Sequence, residues 1–122
     1  MANSGYGELG VCRDGTFDPQ TRLPGWTRGL CLVDGLAFVG TSRVIPRFRR
    51  YAPGLDLERS ECGVHVVDLS RGEVLGSLIW PEGNQIFAIE ALPTATTAGF
   101  MHLSQGRRAA RRAAHLYYSF DL

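Results

Sequence analysis

The stretch "RGLCLVDGLAFVGT", Arg28–Thr41, decides the fold. Its two apolar arms, Arg28–Val33 and Leu36–Thr41, flank Asp34-Gly35. Asp-Gly between such arms is the strongest short-range hairpin signal, because Gly adopts the positive φ that a type I′ turn requires. The signal recurs on either side. Glu8–Arg13 reads as a short strand ending in the turn Asp14-Gly15, and Val64–Leu69 and Val74–Trp80, both rich in Val, Leu and Ile, flank the turn Ser70–Glu73. Ile86–Leu92 reads as a further strand, stopped by Pro93. The fold class that follows is all-β, mainly an antiparallel meander.

Two stretches share an order of events. From Gly10 to Val39 and from Gly63 to Leu92 the chain opens with Gly-Val, makes a Gly turn, passes a Pro-centred turn and enters an apolar strand. Their separation of roughly 50 residues fits one β-propeller blade, and any antiparallel meander with Gly turns gives the same order. The expected organisation is a β region over residues 1–95, with blade-like repeats at about 7–41 and 62–93 and a loop over 42–61 between them. Two such units cannot close a ring, so the propeller is expected to be incomplete. A linker over 96–106 and a C-terminal α-helix over 107–118 complete the reading.

Composition narrows the class. A chain of 122 residues with 44% hydrophobic content supports one domain with a modest core, and its 15 Gly and 6 Pro favour turn-rich β structure. All 13 basic residues are Arg, which we read as coding bias, and a net charge of +1 exerts no global pull on nucleic acid. No stretch is long and apolar enough to span a bilayer, and the N-terminus lacks the basic and apolar regions of a secretory signal, so a cytoplasmic location is expected. Cys12, Cys31 and Cys62 lack the paired spacing of a zinc site and are expected to be buried free thiols. His65 lies three residues from Cys62, on the opposite face of a strand, so the two do not form a nucleophile and base there.

Arg residues mark the candidate site. The loop "SRVIPRFRRYAPGLDLERSE" carries Arg43, Arg47, Arg49 and Arg50 first and Asp56, Glu58 and Glu61 later. Guanidinium forks bind planar carboxylates in bidentate fashion, so the basic half reads as an anion site unless the two halves pair with each other. Near the expected strand ends stand Trp26, Arg28, Ser42 and Asn84. An indole face beside Arg donors suits a sugar or an acidic small molecule. In the tail, Arg107, Arg108, Arg111, Arg112 and His115 form a basic helical face in an Ala-rich stretch.

The segments "LPGWTRGLCLVDGLAFVGTSR" (Leu23–Arg43), "CGVHVVDLSRGEVLGSL" (Cys62–Leu78) and "NQIFAIEALP" (Asn84–Pro93) resemble, in this order, the C-terminal part of a bacterial family of conserved hypothetical proteins with a DUF4915-type domain. "NSGYGELG" (Asn3–Gly10) resembles a strand that is internal in that family. The resemblance implies a propeller-like fold within a longer protein and no established activity. On that basis the chain is expected to be a piece of a larger frame or to complete itself as a homo-oligomer.

Three functions remain open at this stage. The first is a non-enzymatic binding or scaffold module with Trp26, Arg28, Ser42, Arg43, Arg47, Arg49, Arg50 and Asn84 around its ligand, and with no catalytic residue, metal or cofactor. In the second, a propeller-type hydrolase or lactonase, Asn84, Glu90 and Asp68 would supply oxygen ligands to a hard cation, although they are scattered over different strands. The third is binding of nucleic acid or another anionic surface through the Arg-rich helix, with affinity falling as salt rises.

Overall fold

Both Asp-Gly pairs turn the chain as type I′ hairpins require. Asp14 and Gly15 have φ of 50° and 77°, and Asp34 and Gly35 have φ of 47° and 80°. The computed structural model describes residues 1–91, and Met1–Ala91 forms one compact unit. The expected linker over 96–106 and helix over 107–118 lie outside the described residues.

The described residues form seven strands, in chain order β1 (Ala2–Asn3), β2 (Glu8–Arg13), β3 (Thr16–Arg22), β4 (Trp26–Val33), β5 (Leu36–Ser42), β6 (Gly63–Asp68) and β7 (Glu73–Ile79). They form two sheets, with orders β1-β2-β3 and β4-β5-β6-β7, and every ladder is antiparallel. The sheets divide at Leu23–Gly25, where Pro24 interrupts the chain after β3. The partition therefore differs from the grouping suggested by the repeats: the hairpin β4–β5 shares a sheet with β6–β7, across the long connection 43–62. This happens because Leu36–Thr41 pairs on both sides, with β4 and with β6, in register from Leu36↔Asp68 to Thr41↔Gly63.

The core lies between the sheets. Alternation along β5 and β6 sends Ala37, Val39, Thr41, His65 and Val67 to one face, all buried, where Ala37, Val39 and Val67 cluster with Leu9 of β2 and Leu23 of the link. Each fully buried Val or Leu contributes about 1.5–3 kcal/mol of transfer free energy. Phe38, Val64 and Val66 alternate onto the other face and are half-buried. Beyond the core contact β2 runs out into solvent, which leaves Cys12 exposed. Cys31 is half-buried and Cys62 buried, so only Cys62 matches the expectation of buried thiols.

A bulge in the β4–β5 ladder shapes the other face. Thr27 pairs with Thr41 and Leu30 with Val39, so Arg28 and Gly29 together oppose Gly40. Gly29 has φ of 76°, the left-handed conformation of a bulge glycine. The carbonyl of Arg28 is thereby pushed over Gly40, into the space where a Cβ would stand. The chain from Asn84 to Ile89 crosses these two glycines: Ile86 sits over Gly40 and Ala88 over Gly29. The strand expected over Ile86–Leu92 joins no ladder over its described residues, 86–91. Ser42 takes both backbone groups of Ile86 instead, its Oγ accepting from the amide at 2.8 Å and donating to the carbonyl at 3.0 Å. This strap is also tied by the Arg43 amide, which donates to the Asn84 carbonyl at 2.9 Å.

The connection between β5 and β6 is ordered by a 3-10 helix, Pro46–Tyr51, with Pro at its start. Ser60 then folds the remainder back, accepting from the Val44 amide at 3.0 Å and donating to the Leu57 carbonyl at 2.7 Å. Val44 and Ala52 are buried beneath it.

Candidate functional site: a guanidinium and aromatic ladder

The bulge, the strap and the 3-10 helix converge on Arg28. Its guanidinium lies 5.0 Å from the centroid of the Trp26 ring and 4.6 Å from that of Phe87 on the strap, and its Nη1 donates to Gln85 Oε1 at 3.2 Å. Trp26 continues the row to Phe48, at a centroid distance of 6.2 Å, and Phe48 continues it to Tyr51 at 6.3 Å. A 3-10 helix has three residues per turn, so Phe48 and Tyr51 fall in one row and Arg47 and Arg50 in the next. Each Arg accordingly stacks on its neighbour, Arg47 on Phe48 and Arg50 on Tyr51, both 4.6 Å from the ring centroid. Phe87 at 67% exposure and Tyr51 at 51% leave the two ends of the ladder open to solvent.

The residues read from sequence divide into two groups. Trp26, Arg28, Arg47 and Arg50 belong to the ladder. Ser42 is fully buried and committed to the strap. Arg43 donates through Nη2 to the Pro81 carbonyl at 2.8 Å, and Asn84 contributes its backbone carbonyl to the strap tie. Arg49 points to the third row of the helix, away from the stacked pairs, and is exposed. Phe87, Phe48, Tyr51 and Gln85 complete the ladder; the sequence signal for Phe48 and Tyr51 was their i, i+3 spacing beside the paired Arg residues. The acidic half of the connection does not neutralise these cations. Among the described residues the ion pair is Arg59–Asp56, at 3.7 Å and on the surface.

Elsewhere the chemistry is different. Asp68, at the end of β6, accepts through Oδ1 from the Ser70 amide and hydroxyl and from the Arg71 amide, and these bonds, led by the Ser70 hydroxyl, hold its carboxyl below the usual range. Burial pushes the Cys62 thiol up against the opposing charge of Arg43, which keeps it protonated. Among the described residues no cluster of three or more His, Cys, Asp and Glu is placed to hold a metal ion. A cleft of about 670 Å³ opens between the sheets, floored by Leu9, Leu30 and Val67 and rimmed by Asp18, Gln20 and Asp68. None of the ladder residues lines it.

His65 is 2% exposed, and burial lowers its pKa from 6.5 against the opposing charge of Glu61. Between that lowered value and 6.5 the unfolded chain binds more protons than the folded one, so stability is full above pH 6.5 and declines as pH falls below it. Each unit of separation corresponds to about 1.4 kcal/mol. Urea unfolding midpoints are expected to drop between pH 7.5 and pH 5.5, and to drop less in His65→Gln.

These features define, over the described residues, an antiparallel β protein of two small sheets with a cationic, aromatic ladder that begins on β4. The chain belongs to the family described as Domain of unknown function (DUF4915), whose profile matches residues 1–101. No curated protein and no solved structure matches the chain.

Proposed function

We propose that the chain is a binding module whose ladder site is non-enzymatic and takes an acidic ligand, either a carboxylated sugar or a small organic acid, held at Arg28. The observation that carries this reading is the guanidinium of Arg28 between Trp26 and Phe87. Ring contacts of this kind do not consume the N–H donors of a guanidinium, whose planar fork matches a carboxylate. Of the five N–H donors, the described residues engage one, through Gln85. Rings next to the fork suit the apolar face of a sugar. The module reading extends to a propeller-like arrangement, supported by two consecutive meander sheets joined by a three-residue link and by the apolar side chains on both faces of the second sheet. In that arrangement a further sheet, from a second copy or a longer chain, packs on Phe38, Val64 and Val66, and the protein acts in the cytoplasm. Light scattering that finds a folded monomer removes self-association from this reading.

Titration of the intrinsic Trp fluorescence with oligogalacturonate and with citrate tests the site, with a neutral maltooligosaccharide as control. Binding is expected for at least one acidic ligand, weakening with salt. Arg28→Ala is expected to weaken it about tenfold or more, as loss of a charge-assisted hydrogen bond requires. Equal binding by wild type and Arg28→Ala, or no binding of either acid, rejects the assignment.

A further inference from the structure

A second constellation lies on the core face of the second sheet and shares no residue with the ladder. His65 of β6 is opposite Ser77 of β7, and its Nδ1 is 2.8 Å from Ser77 Oγ. Its Nε2 is 2.9 Å from Thr41 Oγ1 on β5, which in turn donates to the Gly63 carbonyl at 3.5 Å. The row crosses three strands, from a buried threonine to an exposed serine. If Thr41 gives its hydrogen to Gly63, its oxygen accepts from Nε2–H, and Nδ1 is then left as an acceptor for the Ser77 hydroxyl.

We propose that Ser77 is a nucleophile toward activated acyl and phosphonyl electrophiles, with His65 as the base that takes its proton and Thr41 as the residue that positions the imidazole. In the acyl case, Ser77 Oγ bonds to the carbonyl carbon while the carbon–oxygen bond to the leaving phenoxide breaks. The hydroxyl proton passes to Nδ1 and from there to the departing oxygen, giving acyl-Ser77 and a free phenol with no other reactant. A neutral imidazole is needed at the start, and burial of His65 keeps it so at neutral pH. The groups that bear on this imidazole are the Thr41 and Ser77 hydroxyls and the charge of Glu61.

The position of Ser77 on β7 supplies the remaining requirement. Among the described residues β7 is the last strand of its sheet, and along such an edge alternate amides point away from the neighbouring strand. An outward amide therefore belongs to Ser77 itself or to Gly76 and Leu78 on either side of it. These are donors for an oxyanion developing beside Ser77. Ser77 is itself exposed, although the imidazole it faces is buried, so its hydroxyl can be approached from solvent.

The full chain, treated with a fluorophosphonate probe and digested for mass spectrometry, tests the assignment. The expected result is label on Ser77, abolished in Ser77→Ala and in urea, and forming about tenfold more slowly in His65→Gln. Thr41→Val keeps both reacting residues and is also expected to slow labelling, which preserves the test should His65→Gln not fold. The native protein gives an independent readout: the labelling rate is expected to be flat above pH 6.5 and to fall in acid as His65 is protonated. An unlabelled Ser77 in folded protein overturns the proposal. So does a rate that rises in proportion to hydroxide with no plateau, or wild-type rates in the folded His65→Gln and Thr41→Val variants.

Discussion

Gly40→Val is expected to lower the unfolding free energy by about 3 kcal/mol, the upper part of the range for overpacked sites. On propensity alone the sign would be opposite, since valine favours strands and glycine weakens them. The difference comes from the bulge. A Cβ on residue 40 would meet the Arg28 carbonyl and stand 2.6 Å from the Ile86 side chain. Ile86 could give way by loosening the strap, but the carbonyl is backbone and is fixed by the left-handed turn at Gly29. Urea unfolding of Gly40→Val, with Gly40→Ala as a smaller step, measures the cost. Adding Ile86→Ala to Gly40→Val is expected to recover only part of it. A variant as stable as the wild type would mean that the bulge is not held as described.

Ser42→Ala is expected to cost about 2 kcal/mol, because it removes two hydrogen bonds and leaves both partners at Ile86 without them. The effect should be local. Amide exchange at Ile86 is expected to accelerate by more than tenfold, whereas the amides of β6 keep their protection. The tie from Arg43 to Asn84 remains, so the strap loosens at one point and Phe87 no longer holds its place over Arg28. Weaker ligand binding by Ser42→Ala is a consequence of that loss and not of a direct contact. Combined with Gly40→Val, Ser42→Ala should add little, since the first substitution already lifts Ile86.

The two findings mark where sequence was informative. Turn chemistry is carried by neighbours in the chain, and for this reason both Asp-Gly hairpins and the strand Glu8–Arg13 were legible in it. Which hairpins share a sheet depends on pairing across the 43–62 connection, and no short-range signal encodes that choice. The segment from Ile86 looks like a strand because most of its residues are apolar, but at Ile86 both backbone groups are taken by the side chain of Ser42. Ser42 itself looked like a ligand residue for a related reason: a polar side chain at a strand end is equally suited to bind a solute or the protein's own backbone. Of the site, Trp26 and Arg28 could be read as an indole beside a donor, and Arg47 and Arg50 as an anion-binding run. Phe87 could not, since its place over Arg28 depends on two glycines more than forty residues upstream.

The link between the sheets has a kinetic consequence. Leu23–Gly25 is short, and among the described residues every ladder joins strands that are consecutive in the chain. Hairpins of this kind close in about 1–10 μs, well before distant contacts form. The exception is β5–β6, which must wait until about 20 residues have been gathered into one arrangement. The second sheet therefore assembles from two preformed hairpins, and the slow event is their meeting. The strap can settle only after β4 and β5 have made the hollow that receives it, so the Arg28 ladder is among the last parts of the molecule to become native.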